Sequence, residues 1–207
     1  SGKVSNAGSQ KIYLQELPFA GSEPLILDSA TLKENGKFEL RATALEEGLY
    51  RLTLERGPEV LLINDEKSIR VNMDANQPKN YTIESSDASK SLQTLFSKYS
   101  AADSSLMVVF NALESAQQAS SSDSLVQVLT KNRDNGLLSI NTIVNEFINN
   151  SKSPAAIYYA IGMATRTMPE EAVKQLVEKA SVKFKEHTGL AKIKALMTVQ
   201  QAAPSAS

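Results

Sequence analysis

From residue 1 to about 86, short runs of apolar residues alternate with polar ones and are broken every few residues by turn formers, the two-residue period of β-strands. The pattern predicts about seven strands, at 11–17, 25–32, 37–41, 49–55, 60–63, 68–73 and 80–84. In the fourth, Tyr50, Leu52 and Leu54 share one face while Arg51, Thr53 and Glu55 share the other, so one side is buried and the other wet. Asn35-Gly36 is a dipeptide favoured by two-residue turns, and it predicts a hairpin between the second and third strands. Such a series suggests a mainly antiparallel sandwich or open barrel.

After Glu84 the period changes. Leu92, Leu95, Phe96, Tyr99, Leu106, Phe110 and Leu113 recur at spacings of three, four and seven, which predicts an amphipathic helix over 88–118. Ala119-Ser120-Ser121-Ser122 breaks it, and Ser122 or Asp123 is placed to cap a second helix to about residue 149. The short connection makes the two an antiparallel hairpin with Leu113 near Leu129, and puts Leu95, Phe96, Phe110 and Phe147 in its core. Asn135-Gly136 is its weak point, a place for a bend or break.

Ser153-Pro154 opens a third helix over 154–166, serine as cap and proline at the first helical position. Thr167-Met168-Pro169-Glu170 reads as a capping box for a fourth helix running to His187. Its buried stripe is Val173, Leu176, Val177, Ala180 and Phe184, and Gly189 is placed to end it in a left-handed conformation. A last helix covers 190–201. The chain thus reads as α+β, with a β-rich domain over 1–86, an all-helical domain over 87–201 and a disordered tail over 202–207. Helical repeats with a common register are absent, which disfavours a solenoid.

Composition narrows the function classes. The 207 residues carry 22 Lys and Arg against 23 Asp and Glu, a net charge of -1 that offers phosphate backbones no attraction. Apolar runs such as 106–110 are far short of a membrane span. Cysteine is absent, which removes disulfides, thiolate nucleophiles and sulfur metal sites from this chain. Ser1-Gly2-Lys3-Val4 reads as a processed or engineered end rather than a targeting segment.

No catalytic, cofactor or metal residue can be assigned. His187, the single histidine, is expected to complement the dipole at a helix C-terminus, and nothing in the sequence gives it a nucleophile or an orienting acid. Asp65-Glu66 and Asp134-Asn135-Gly136 lack the ligand spacing of a calcium loop and read as turns. Asp28, Asp74 and Glu170 sit where strand ends or caps would put them, which leaves a two-carboxylate hydrolase as a minor reading. Phosphate-binding glycine loops are missing. Tyr158 and Tyr159 could stack on a sugar or base, but beside Ile157 and Ile161 they read first as half-buried packing.

One resemblance rests on the order of several weak motifs. They are Gly2-Lys3-Val4, Lys11-Ile12-Tyr13-Leu14, Leu27-Asp28-Ser29-Ala30, Asn35-Gly36-Lys37-Phe38, Gly48-Leu49-Tyr50-Arg51-Leu52 and Tyr81-Thr82-Ile83. The strand-to-helix change over 86–95 and the Asn/Ser/Pro turn within 147–159 follow. In this order the chain resembles the N-terminal domain of unknown function that precedes thioredoxin-like (TlpA or AhpC/TSA type) domains in bacterial envelope proteins. The resemblance implies a periplasmic or envelope location, often with a lipid anchor, and a Cys-x-x-Cys domain following Gln201-Ala202-Ala203-Pro204. This chain would then be a non-catalytic accessory or interaction module, its partner that domain or a protein client, with homo-oligomerisation left open. The alternatives are a free-standing envelope lipoprotein that binds a peptide or glycan, and an unrecognised hydrolase.

Overall fold

The computed structural model describes residues 1–19, 21 and 23–202. Eight strands come first: β1 (Gly2–Ser5), β2 (Lys11–Leu17), β3 (Leu25–Thr31), β4 (Lys37–Phe38), β5 (Leu49–Leu54), β6 (Glu59–Ile63), β7 (Arg70–Asp74) and β8 (Gln77–Glu84). Five helices follow: α1 (Asp87–Gln118), α2 (Asp123–Asn150), α3 (Pro154–Ala164), α4 (Glu170–Lys183) and α5 (Thr188–Ala202). The architecture is α+β, strands then helices. Residue 202 closes α5, and the rest of the expected tail, 203–207, lies outside the described residues.

The strands form two four-stranded sheets, in the orders β4-β1-β7-β8 and β3-β2-β5-β6. Both sheets keep free edges, so this is an open sandwich and not a closed barrel. Its inter-sheet core holds Val4, Ile12, Phe38, Val60, Val71 and Ile83 together with Tyr50, Leu52 and Leu54, the face of β5 that the two-residue period had singled out. Every pairing is antiparallel except β1 with β7, which run parallel. β1 escapes the periodicity because a four-residue strand with one buried side chain, Val4, has no pattern to show.

The expected hairpin at Asn35-Gly36 does not form. The tight turn is there, with Gly36 at φ +70° and its amide donating to the Lys33 carbonyl at 2.8 Å. It carries the chain from β3 in one sheet to β4 in the other, so the strands it joins never pair. Turn chemistry fixes the local reversal, whereas which edge each strand joins is decided by burial on the two inner faces.

α1 begins where Ser85, at φ +68°, turns the chain into the cap residue Ser86, whose Oγ accepts from the Ser89 amide at 3.0 Å. It ends on Ala119 with a left-handed Ser120 (φ 49°), the Ser120 amide reaching Gln117 O and the Ser121 amide reaching Ala116 O. That closure favours glycine at the left-handed position. Ser120→Gly is therefore expected to stabilise the protein by about 0.5–1 kcal/mol, the relief of left-handed strain less the extra freedom glycine gives the unfolded chain. Denaturant melting of the variant checks this.

α1 and α2 form the expected antiparallel hairpin. A Cβ on Gly136 would lie 2.8 Å from Leu106 Cδ1, so this glycine marks the close approach of the two helices, and α2 runs through it unbroken. Neither a bend nor an Asp134-Asn135-Gly136 turn is present. The expected common core of Leu95, Phe96, Phe110 and Phe147 needs correction: Leu95 is buried, Phe96 and Phe147 are half-buried against the same core, and Phe110 is exposed at 37%. Beyond Leu106 on α1 and before Gly136 on α2, only Leu113 and Ala116 are buried, because no third layer among the described residues covers the outer half of the hairpin.

Three helix boundaries also differ from expectation. Ser122 precedes α2 but makes no side-chain cap bond. Thr167 gives its hydroxyl to Asn141 Oδ1 at 2.6 Å instead of closing a capping box, and Pro169 is the cap residue of α4. Gly189 lies inside the first turn of α5, where a Cβ would meet the Phe19 ring at 2.5 Å. Its role is to admit Phe19 from the sandwich and not to end α4, which stops at Lys183. Ser153 does cap α3, accepting from the Ala156 amide at 3.0 Å.

Candidate functional site

Helix N-termini expose amide hydrogens that need acceptors and a positive dipole end that favours anions. Here three such ends meet one end of the sandwich, and acidic side chains from its loops answer each. Asp65, just after β6, accepts from the Ala88 amide at 2.8 Å and from Ser86 Oγ at 2.5 Å, at the start of α1. Glu47, just before β5, accepts from the Ala155 amide at 3.1 Å and from Ser153 Oγ at 2.5 Å, at the start of α3. Glu46 accepts from the Thr188 amide at 3.0 Å and from the Thr188 hydroxyl, at the start of α5. The sequence pattern gave no hint of this for Glu46 and Glu47, and it read Asp65 as a turn residue.

His187 belongs to the same seam. Its ring is buried, 6% exposed, with Nε2 2.9 Å from the Glu47 carbonyl and Nδ1 3.3 Å from the Leu190 amide. The hydrogen-bond pattern assigns the proton to Nε2, leaving Nδ1 as the acceptor that caps α5. Phe19 packs edge-on against this ring and against Tyr158, with centroids 4.9 and 4.6 Å away. His187 is thus a capping residue, as one part of the expectation had it, but at the start of α5 and not at the end of α4.

Glu46 makes the seam sensitive to acid. Burial pushes its pKa up, but the hydrogen bonds from the Thr188 hydroxyl and amide, helped by nearby Lys192, outweigh that and bring it below the usual 4.5. A carboxylate whose folded pKa is depressed adds stability above its unfolded pKa and loses it as the pH falls through the folded value. The stability difference between the wild type and Glu46→Gln should therefore be constant from pH 7 to about 5 and shrink at lower pH. Paired melts across that range check it.

Beside the capped ends lies a cleft of about 630 Å³ between α1, α2 and the sandwich. Leu95, Ile143 and Phe147 line its apolar part, while Asp87, Lys98, Glu146 and Lys152 stand at its rim. Glu47 and Asp65 also border it, each already holding an amide and a hydroxyl.

The remaining acids stay apart. Asp28 accepts from the Ser29 and Arg41 amides in one sheet, and Asp74 lies at the end of β7 in the other. Hydrogen bonds from the Asn6 side chain and the Asn76 amide hold Asp74 below the usual carboxylate range. Glu170 pairs with Lys174 at 2.7 Å on α4. Tyr159 stacks edge-on with Phe96 at 5.3 Å and is half-buried, as packing predicts. Among the described residues, no group of three acidic or histidine side chains is placed to hold a metal ion, and no helix is long and apolar enough to cross a membrane.

The fold and seam define a chain in which a two-sheet sandwich presents capping carboxylates to a five-helix half. Residues 1–92 match the family model of a domain of unknown function (DUF4369). The match takes in all eight strands and ends at Leu92 within α1, so residues 147–159, which the sequence resemblance had included, lie outside it. No curated protein matches the chain, and no solved structure does.

Proposed function

We propose that this chain works by binding, as a non-catalytic accessory or interaction module of a thioredoxin-like thiol-disulfide protein of the bacterial envelope. The cleft between α1, α2 and the sandwich carries the reading: it offers an apolar floor and a rim of both charges, and two of its carboxylates are occupied in capping helices. Such a surface suits a protein segment better than a reacting small molecule. The thioredoxin-like partner and the envelope location come from the sequence resemblance, with a periplasm-facing and lipid-anchored parent as its corollary. Redox chemistry would belong wholly to the partner, since this chain has no cysteine to form a mixed disulfide.

The test is insulin reduction by a thioredoxin domain fused after α5. The chain alone should give no turnover above buffer. In the fusion, Lys98→Glu with Lys152→Glu should change KM for the protein disulfide while leaving kcat alone. Turnover by the chain alone, or a KM indifferent to the cleft substitutions, overturns the reading.

A further inference from the structure

A second cavity, of about 1260 Å³, opens between the two sheets. β4 lasts two residues, after which the chain leaves that sheet's edge and pairs with no strand until Leu49. The sheets are left open on this side, and side chains that elsewhere would meet across the sandwich line a slot instead. Phe38, Leu52, Leu62 and Val71, all buried, form its floor, and half-buried Leu40 stands at its side.

One polar group inside is unmatched. Tyr50 is 6% exposed and lines the cavity, yet among the described residues its hydroxyl has no hydrogen-bond partner. The oxygen is not sealed in, since no fully buried side-chain polar atom among the described residues lacks a partner. It stands 3.5 Å from where a Cβ on Gly48 would be, and the Gly48 amide is held at 2.6 Å by Asn64, itself part of the cavity wall. A largely buried hydroxyl with no protein partner is free to donate to a ligand acceptor that reaches it through the cavity.

We propose that this cavity binds the acyl chain of an uncharged ester or amide, its carbonyl accepting the Tyr50 O–H. The aliphatic floor matches an alkyl chain, and the volume is ample for one with its head. Charge selects the head. Burial pushes the Tyr50 pKa up, and Glu16 and Glu46 push it the same way, so the phenol keeps its proton and faces a negative field. A free carboxylate would meet that field, whereas an ester carbonyl takes the proton without adding charge. At the rim, Glu39 and Arg41 satisfy each other at 2.7 Å, and the other charges of the lining, the Ser1 amino group and Lys67 against Asp65 and Glu66, balance, so the rim offers an anionic head no net attraction.

Fluorescence titration of the full chain with cis-parinaric acid methyl ester, and with the free acid, tests this at neutral pH. The ester should bind saturably at one site and more tightly than the free acid. Tyr50→Phe should weaken the ester by roughly three- to tenfold, the span of one hydrogen bond, with its melting temperature retained. Leu40→Trp, which fills the slot, should abolish binding; if it lowers the melting temperature, Ala42→Trp on the rim takes its place. No saturable binding by the wild type, equal or tighter binding of the free acid, or binding unchanged in a folded slot-filling variant overturns the proposal. None of these readouts touches the α1–α2 cleft, so failure here leaves the accessory-module reading standing.

Discussion

Leu92→Ala should cost about 3–4 kcal/mol, and strands and helices should lose that stability together. Leu92 is wholly buried on the inner face of α1, in a core that takes Leu49 and Ile63 from the sandwich along with Val144, Ile157, Ile161 and Val177 from the helices. Truncation removes three carbons from a site held on both sides, so the cavity cannot close by a local shift. The same core crosses the change from strand to helix at Ser85 and Ser86. A β signal and a helix signal followed in parallel melts should therefore fall in one transition in both proteins, displaced to lower denaturant in the variant. A loss below about 1 kcal/mol, or a helical signal that moves while the strand signal stays, would show that the seam is not a shared core.

Gly36→Ala should be nearly as damaging, about 3 kcal/mol or more, from a single added methyl. Two costs combine. A left-handed alanine is strained by about 1–2 kcal/mol, and the new Cβ would stand 1.9 Å from the Val4 carbonyl oxygen. That oxygen belongs to the backbone of β1, which pairs with both β4 and β7, so it cannot swing aside as a side chain would. Overpacking adds its usual 1–3 kcal/mol or so. Gly8→Ala is the matched control, with the same sign of φ (+64°) and open space around the added methyl, so it should show the backbone strain alone. Equal losses at the two positions would remove the steric half of the account.

The contrast between Asn35-Gly36 and the helix starts shows what was legible in the sequence. Local chemistry was: the two-residue period gave seven of the eight strands, Ser153-Pro154 opened α3, and the turn at Gly36 is real. Partners were not. Whether β3 pairs with β4 depends on inner faces built from residues far apart in the chain, and no local pattern records that. Phe110 shows the same limit, since its spacing puts it on the stripe of α1 while its burial depends on whether a third element reaches that far out. The capping carboxylates were hidden because Glu46 and Glu47 look like loop acids until α3 and α5, more than 100 residues on, arrive above them. The cavity beside Tyr50 was equally out of sight, because an alternating strand looks identical whether the facing sheet meets it or stands off.

The seam of carboxylates also bears on where helical structure is encoded. An 11-residue segment such as α3 is marginal as a peptide in water, and part of what completes it here is the Glu47 side chain, contributed from the far end of the sequence. Peptides cut from the second half would lack three of their acceptors and show less helix than the protein does. A helical half transplanted onto another scaffold would need equivalent acids at its three entry points. During synthesis those acids emerge from the ribosome before the helices that use them, so each new helix finds its terminus already provided for.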